Sequence, residues 1–154
     1  MQESPKRKVL IHETLPGRDL KQKDMSGKCL VGSTVQSIRL QDARCRFLRA
    51  QNTRFQNVSI DQVLSDKGFY QDCSWGNLQI QNSFINESHF SGCRFEKSTG
   101  ELSSFGLSTF HDCKFKESRF SEISFSGSWW QACQLENEDY TFVRFPSSVF
   151  IDTH

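Results

Sequence analysis

Residues 103–127 read SSFGL-STFHD-CKFKE-SRFSE-ISFSG, five consecutive units in which Phe is always the third of five residues. The same register runs from about residue 30 to residue 150, and 10 of the 14 Phe residues of the chain fall on it. Each unit has the form small, polar, large apolar, polar, polar. A period of five fits neither the two-residue period of a strand nor the 3.6-residue period of a helix. The chain must therefore change direction once per unit.

Each unit can supply both a short straight piece and a turn. Its first and third residues point to one side of an extended segment, and the polar second residue points to the other. The polar pair that closes the unit suits a tight turn. Residues of the turn-forming types Asn, Asp and Gly close many of the units: Asn52, Asn57, Asp72, Asn77, Asn82, Gly92, Asp112, Gly127 and Asn137. Repetition of such a unit predicts a solenoid.

Units such as residues 93–97 (CRFEK) and 113–117 (CKFKE) make the sequence resemble the pentapeptide-repeat family. The resemblance implies an all-β fold, a right-handed four-sided β-helix in which four units complete one coil. The chain departs from the family pattern in one respect. Arg, Ser, Thr or Lys is commoner here than Asp or Asn just before the central residue.

The sequence itself tests four units per coil, because residues 20 apart should then stack. Cys73, Cys93, Cys113 and Cys133 are spaced in this way. We expect these cysteines to form a structural ladder of small buried side chains, since parallel inward side chains are poorly placed for disulfides and cannot converge on a metal ion. Coils about 4.8 Å apart would give about six coils and a rod of about 30 Å.

The composition, 154 residues with 36% hydrophobic residues and a mean hydropathy of −0.57, predicts one soluble domain. Charged residues occupy the inward positions of residues 1–28, so we interpret residues 1–28 as a polar N-terminal tail or cap and residues 29–154 as the β-helix. No apolar run is long enough for a membrane span or a signal-peptide core. We therefore expect a cytoplasmic bacterial protein, or one secreted into a host by a Sec-independent route.

The repeat weakens at three places. Ser65 and Gly100 replace large central residues, which predicts local bulges there. Near the C-terminus, Glu138 occupies an inward position. Stacking of two chains through the last coil would bury Phe145, Phe150 and Ile151, so the sequence suggests a tail-to-tail homodimer.

Charge is unevenly distributed. Residues 1–57 carry 12 basic and 5 acidic side chains, and residues 58–154 carry 7 basic and 13 acidic ones. Four arginines fall on the outward positions of four successive units, Arg39, Arg44, Arg49 and Arg54, and with Arg46 they would form a ring around one coil. This basic ring could bind phosphate, anionic lipid or an acidic protein surface. The alternative is a solvated rim that discourages end-to-end stacking.

No arrangement of residues predicts catalysis. The four histidines are scattered, and none has an evident nucleophile or carboxylate partner. No phosphate-binding glycine loop or dinucleotide fingerprint occurs. The sequence therefore predicts a protein that is not an enzyme, with no catalytic residues, no metal site and no cofactor.

Several large apolar residues fall on positions that the repeat should keep polar: Leu64, Phe69, Phe84, Leu102, Leu107 and Trp129. Leu64 and Phe84 fall in one outward column, Phe69 and Trp129 fall in the next, and we expect Leu102 and Leu107 at the corners between those two sides. The six side chains would then gather on one side of the rod and form a partner-binding patch. Alternatively, Leu64 and Leu102 are displaced core residues at the two bulges, and the others are isolated exposed residues.

The resemblance leaves three function classes open. We favour a non-catalytic protein-interaction module or scaffold, possible roles being a secreted bacterial effector or adaptor. The alternatives are a DNA-mimicking modulator of DNA gyrase, as in quinolone-resistance proteins, or the targeting module of a larger effector enzyme. A DNA mimic requires an acidic rod, and the basic first coils oppose that role. A protein partner is thus favoured over nucleic acid.

Overall fold

The computed structural model describes the backbone of residues 9–11, 14–15 and 20–154, and the side chains of residues 20–154. These residues form a parallel β-solenoid in which one coil takes 20 residues. Half of the predicted N-terminal tail and cap, residues 1–8, 12–13 and 16–19, lies outside the described residues. No helix capable of crossing a membrane is found among the described residues.

Each coil has four sides, which we call faces 1 to 4 in chain order. Face 1 consists of the strands Val9–Ile11, Cys29–Val31, Arg49–Gln51, Phe69–Gln71, His89–Ser91, Thr109–His111, Trp129–Gln131 and Val149–Ile151. Face 2 consists of Thr14–Leu15, Thr34–Gln36, Arg54–Gln56, Ser74–Gly76, Arg94–Glu96, Lys114–Lys116 and Gln134–Glu136. Face 3 consists of Arg39–Gln41, Ser59–Asp61, Gln79–Gln81, Thr99–Glu101, Arg119–Ser121 and Asp139–Thr141. Face 4 has only single-residue bridges, at Asp24, Arg44, Leu64, Phe84, Ser104, Ser124 and Arg144.

The register confirms the prediction of four units per coil. Trp75 pairs with Phe95 on face 2, and on face 1 Phe90 pairs with Phe110, 20 residues later. The predicted all-β four-sided solenoid of about six coils is therefore confirmed. Parallel pairing also extends upstream, because Val9–Ile11 pairs with Cys29–Val31. The division of the chain at residue 29 stays a prediction.

A left-handed residue makes every corner. The second residue after each central residue has a φ between 47° and 68°, from Gln22 to Asp152. All nine Asn, Asp and Gly residues predicted to form turns occupy such corners. This backbone conformation crowds the Cβ atom of most L-residues, and Gly, Asn and Asp tolerate it best. The corners thus explain why the unit ends in those residue types.

Stacked aromatic rings fill the core. The centroid of the Phe110 ring lies 5.0 Å from that of the Phe90 ring and 4.1 Å from that of the Trp130 ring, and the ring planes are nearly parallel. Beside these rings run columns of Ser and Cys that join successive coils. For example, the Ser108 hydroxyl accepts a hydrogen bond from Ser88 N and donates to the Ile85 carbonyl, both at 3.1 Å. A larger side chain would not fit between two aromatic columns, and a small polar one satisfies buried backbone groups.

The cysteine ladder has the same setting as the serine columns. Cys73, Cys93, Cys113 and Cys133 are fully buried free thiols. Each of the last three contacts a carbonyl of the preceding coil, as Cys133 Sγ does with Phe110 O at 3.4 Å. The thiols therefore replace serine hydroxyls in one column.

The predicted bulges at Ser65 and Gly100 are wrong. Both residues are buried, and Gly100 pairs in register with Ile80 and Phe120. A Cβ atom on Gly100 would lie 2.5 Å from Ile123 Cδ1 and 2.8 Å from Phe120 Cδ1. These two side chains of the next coil occupy the space of the missing side chain. At Ser65, the Tyr70 hydroxyl lies 3.3 Å from the Ser65 hydroxyl and fills the equivalent space.

Candidate protein-binding face

Six of the ten large apolar side chains that are exposed among the described residues lie on face 4 or on its edges. Leu64 and Phe84 occupy successive outward positions of its bridge column, and both are exposed. Neither is a displaced core residue, since Val63 and Ile85, their neighbours in the chain, are buried in the core. The two side chains therefore project from a regular part of the solenoid.

Both edges of face 4 carry large apolar side chains. Phe47 and Leu107 lie on the edge with face 1, and Leu102 and Phe142 lie on the edge with face 3. Leu107 and Phe142 are 66% and 77% exposed. Leu107 therefore lies at the corner predicted for it, between face 4 and face 1, whereas the prediction for Leu102 is wrong because Leu102 lies on the opposite edge, next to face 3.

Phe47 and Phe142 are not among the residues that the sequence predicts for the patch. All four edge residues are corner residues, with φ between 48° and 58°. A signal for them was present, because a large apolar residue stands at the turn position where Asn, Asp or Gly is preferred. Large apolar residues in the turn position would have located both edges.

Small residues line the floor of face 4 in the two coils after Phe84. They are Ser104, Gly106, Ser124 and Ser126. The Asn86 side-chain oxygen fixes this part of the surface, because it accepts hydrogen bonds from Gly106 N and from the Ser104 hydroxyl, both at 2.8 Å. Next to Ser124, a surface depression of about 430 Å³ is bounded by Phe142 and Arg144. Face 4 is therefore a shallow trough with a floor of small residues. Its edges alternate between large apolar corner residues and charged ones, since Lys67 and Glu87 stand between Phe47 and Leu107, and Glu122 stands between Leu102 and Phe142.

Phe69 and Trp129 lie on face 1, not on face 4. Both are exposed, but His89 and Thr109 separate them in the outward column. The Phe69 ring stacks on the His89 ring at 5.2 Å, and His89 Nδ1 hydrogen-bonds the Thr109 hydroxyl. Burial and the nearby His111 lower the pKa of His89, which favours the neutral ring. Face 1 thus has two separate aromatic positions, whereas Leu64 and Phe84 are direct neighbours on face 4.

The arginines of the basic ring do not form one patch. Arg39, Arg44, Arg46, Arg49 and Arg54 are all exposed, and they are distributed over the four faces. Arg46 lies 3.8 Å from the Asp66 carboxylate and 5.6 Å from the Phe47 ring centroid. Arg44 directly precedes Leu64 in the bridge column of face 4. Only this part of the ring therefore adjoins the apolar trough.

The C-terminal coil leaves apolar side chains partly uncovered. Phe150 is 47% exposed, and Phe145 and Ile151 are half-buried. Glu138 lies in the same coil at an inward position. Its Oε1 accepts a hydrogen bond from Ser118 N at 3.1 Å, whereas its buried Oε2 has no partner among the described residues. Burial raises the pKa of Glu138 to about 7.

The described residues contain no group of three or more His, Cys, Asp or Glu side chains that could hold a metal ion. The candidate site is therefore a surface of side chains on a rigid frame. Its chemistry is apolar contact, with charged groups at its ends.

No family model matches the sequence, and no curated protein matches it. A trypsin-treated form of QnrB1, a plasmid-mediated fluoroquinolone resistance protein, is similar over 96% of this chain and 72% of its own length, with a TM-score of 0.53 at 13% identity. The pentapeptide repeat protein Rfr23 from the cyanobacterium Cyanothece 51142 covers 92% of this chain and 90% of its own, with a TM-score of 0.44 at 9% identity. HetL, a pentapeptide repeat protein from the cyanobacterium Nostoc sp. strain PCC 7120, covers 93% and 89%, with a TM-score of 0.38 at 9% identity. With its five-residue unit, its 20-residue coil and its likeness to QnrB1, the chain has the fold of a pentapeptide-repeat β-helix.

Proposed function

We propose that the chain is a non-catalytic protein-interaction module whose binding site is face 4 with its two edges. One observation supports this most directly. Phe47, Leu102, Leu107 and Phe142 combine two unfavourable properties, exposure of a large apolar side chain and a left-handed backbone. Positions that break local rules in this way are typical of functional surfaces.

The left-handed corners of face 4 favour residue types other than the large apolar ones found there. A left-handed conformation costs a residue with a Cβ atom roughly 1–2 kcal/mol, and Asn or Gly would reduce that cost. The fold alone therefore gains nothing from Leu at position 102 or 107. A partner that covers these side chains would recover apolar burial of about 1.5–3 kcal/mol for each fully buried one.

Replacing Leu107 with Asn should raise the free energy of unfolding by about 1 kcal/mol, because Asn tolerates the left-handed corner better. Chemical denaturation would measure the change. Glu117→Asn is the matched control, since Glu117 is a corner residue with a φ of 53° between faces 2 and 3. Both variants should gain stability, but only Leu107→Asn should weaken partner binding. A stability loss in Leu107→Asn would show that Leu107 supports the fold.

A Phe84→Ser, Leu107→Asn double variant should lose partner binding while keeping a near-normal melting temperature, because both side chains are exposed. Affinity purification from bacterial and eukaryotic lysates, with wild type and variant as parallel baits, would identify the partner. Its affinity for the variant should fall by at least about tenfold. Trp129→Ser, on face 1, should retain the partner. Recovery of the same proteins by wild type and double variant would contradict a site on face 4.

A second candidate function is modulation of DNA gyrase. The likeness of the fold to the fluoroquinolone resistance protein QnrB1 favours testing it. The charge of residues 1–57 opposes it, because 12 basic side chains against 5 acidic ones would repel a DNA-binding surface. Inhibition of gyrase supercoiling by the purified chain would support this function, and an unaffected supercoiling rate would exclude it.

A second copy of the chain is also proposed as a partner, through the C-terminal coil. Partly uncovered Phe145, Phe150 and Ile151 would be buried by tail-to-tail stacking. We expect a dimer at micromolar concentration in sedimentation equilibrium. Phe150→Lys should convert it to a monomer, whereas Phe84→Lys on face 4 should not. A wild-type chain that sediments as a monomer would refute the dimer.

A further inference from the structure

We propose that face 4 binds an acidic amphipathic α-helix of about 16 residues, which lies along the solenoid axis. This length follows from five coil spacings of about 4.8 Å and a helical rise of about 1.5 Å per residue. This inference rests on the proposed function, and specifies the kind of partner. It follows from the hydrogen bonding, the spacing and the charge of face 4.

The hydrogen bonding of face 4 disfavours an added strand. Its backbone groups already pair between coils: Phe84 N donates to Val63 O at 2.9 Å, and Ser104 N donates to Ser83 O at 2.9 Å. Ile85 N and Phe105 N likewise donate to carbonyls of the following coil. Strand addition needs the free backbone groups of a sheet edge. Face 4 can therefore be recognised only through its side chains, which suits a helix whose own backbone is paired internally.

The spacing of face 4 matches that of a helix. Successive coils repeat at about 4.8 Å, and helical residues three or four apart have Cβ atoms about 5–6 Å apart. One apolar residue of the helix could thus lie over each coil. The small floor of Ser104, Gly106, Ser124 and Ser126 would admit the helix backbone closely, with Leu102 and Leu107 on opposite sides of it. Leu107 already leans over the next coil, since a Cβ atom on Gly127 would lie 2.8 Å from its Cδ2.

The charges at the two ends of face 4 favour an acidic helix. Arg44 and Arg144 begin and end the part of the bridge column that contains the trough, and both are exposed. Among residues 20–154, no carboxylate lies within 4 Å of either guanidinium, whereas Arg46 pairs with Asp66 and Lys67 with Glu87 on the same side of the solenoid. Hydrogen bonds from Ser26 and, less strongly, the charge of Arg44 lower the pKa of Asp24. Asp24 lies one coil before Arg44, and Glu122 is the corner residue one coil before Phe142. A helix with an apolar stripe and carboxylates towards both ends would satisfy both arginines.

Selection from two displayed peptide libraries tests the inference. One library presents 18-residue α-helices on a rigid scaffold, and the other presents unconstrained peptides of the same length. We expect the folded chain to select helices with apolar residues at i, i+3 or i+4, and i+7, and with Asp or Glu at both ends. The selected peptide would then be synthesised with a fluorescent label, and its affinity measured by anisotropy.

Reversing the charges of Arg44 and Arg144 then tests whether the two acidic ends of the bound helix lie next to these arginines. Arg44→Glu with Arg144→Glu should weaken the peptide at least about tenfold, and a peptide with Lys in place of its terminal acids should bind this variant better than wild type. Arg54→Glu with Arg94→Glu, on face 2, is the matched control and should leave the affinity unchanged. Equal binding by wild type and the Arg44, Arg144 variant would overturn the inference.

The outcomes separate this inference from the proposed function. If the selected peptides are extended or basic, yet lose binding to the Phe84→Ser, Leu107→Asn variant, face 4 is a binding site and the helical partner is wrong. If neither library yields a binder, or if all binders ignore that variant, both proposals fail.

Discussion

Replacing Phe110 with Ala should lower the free energy of unfolding by about 4 kcal/mol, the largest effect of any single change considered, because burial and a residual cavity both contribute. Phe110 is 1% exposed and lies at the centre of the aromatic core. Its ring stacks between Phe90 and Trp130, and contacts Phe115 and Phe125 edge to face at 5.9 Å. The rigid neighbouring coils cannot collapse into the space.

Phe84→Ala is the matched control, because it removes the same side chain from an outward position. We expect it to cost less than about 1 kcal/mol, since Phe84 is 51% exposed. Urea denaturation followed by circular dichroism would compare the two variants. Similar losses of stability would mean that the inward and outward assignments of the repeat are wrong.

The sequence was sufficient to predict the solenoid, for a physical reason. A five-residue period predicts a solenoid, and the resemblance to the pentapeptide-repeat family implies four units per coil. The spacing of Cys73, Cys93, Cys113 and Cys133 at intervals of 20 agrees with that coil. The corners confirm the logic at the level of single residues, because Asn and Gly stand where φ is positive.

The bulges were predicted wrongly because each unit was considered alone. Whether a small central residue leaves a gap depends on side chains of neighbouring units. At Gly100 the gap is filled by Phe120 and Ile123 of the next coil, and at Ser65 by the hydroxyl of Tyr70. Such compensation is a property of packing in three dimensions, which the period does not encode.

The candidate site was only partly predictable. Outward apolar residues could be found from the repeat, which identified Leu64 and Phe84. The trough could not be predicted from the repeat. It depends on small residues that lie 20 residues apart, such as Ser104 and Ser124, and on the corner residues that flank them. The repeat also puts Phe69 and Trp129 in the outward column next to that of Leu64 and Phe84, and this column is face 1 in the structure.

The second large effect is expected at Glu138, which follows Ser98 and Ser118 in an inward column whose earlier members are Ile38, Val58 and Leu78. Ser98 N donates to the Ser118 hydroxyl, and Ser118 N donates in the same way to Glu138 Oε1. The second carboxylate oxygen is buried without a partner among the described residues. Burial raises the pKa of Glu138 to about 7, from a usual value of 4.5, and the hydrogen bond from Ser118 N offsets only part of this effect.

The raised pKa makes stability depend on pH in a defined direction. The folded protein binds the proton of the Glu138 carboxyl group more tightly than the unfolded chain does. The bound proton therefore stabilises the fold fully below about pH 4.5, and this stabilisation is lost as the pH rises through about 7. A shift of this size corresponds to at most about 3 kcal/mol, and we expect about 1–2 kcal/mol because Glu138 is only half-buried. Glu138→Ser, which repeats the residue type of Ser98 and Ser118, should raise the free energy of unfolding by that amount at pH 8 and by little at pH 5.

Urea denaturation of wild type and Glu138→Ser between pH 5 and pH 8 would measure the difference. Glu136→Gln is the control: hydrogen bonding to Lys114 lowers the pKa of Glu136, so its carboxylate stays ionised throughout this range. Its removal should leave the pH dependence of the wild type unchanged. If Glu138→Ser retains the full wild-type pH dependence, another group is responsible, and the unpartnered oxygen of Glu138 does not limit the stability of the last coil.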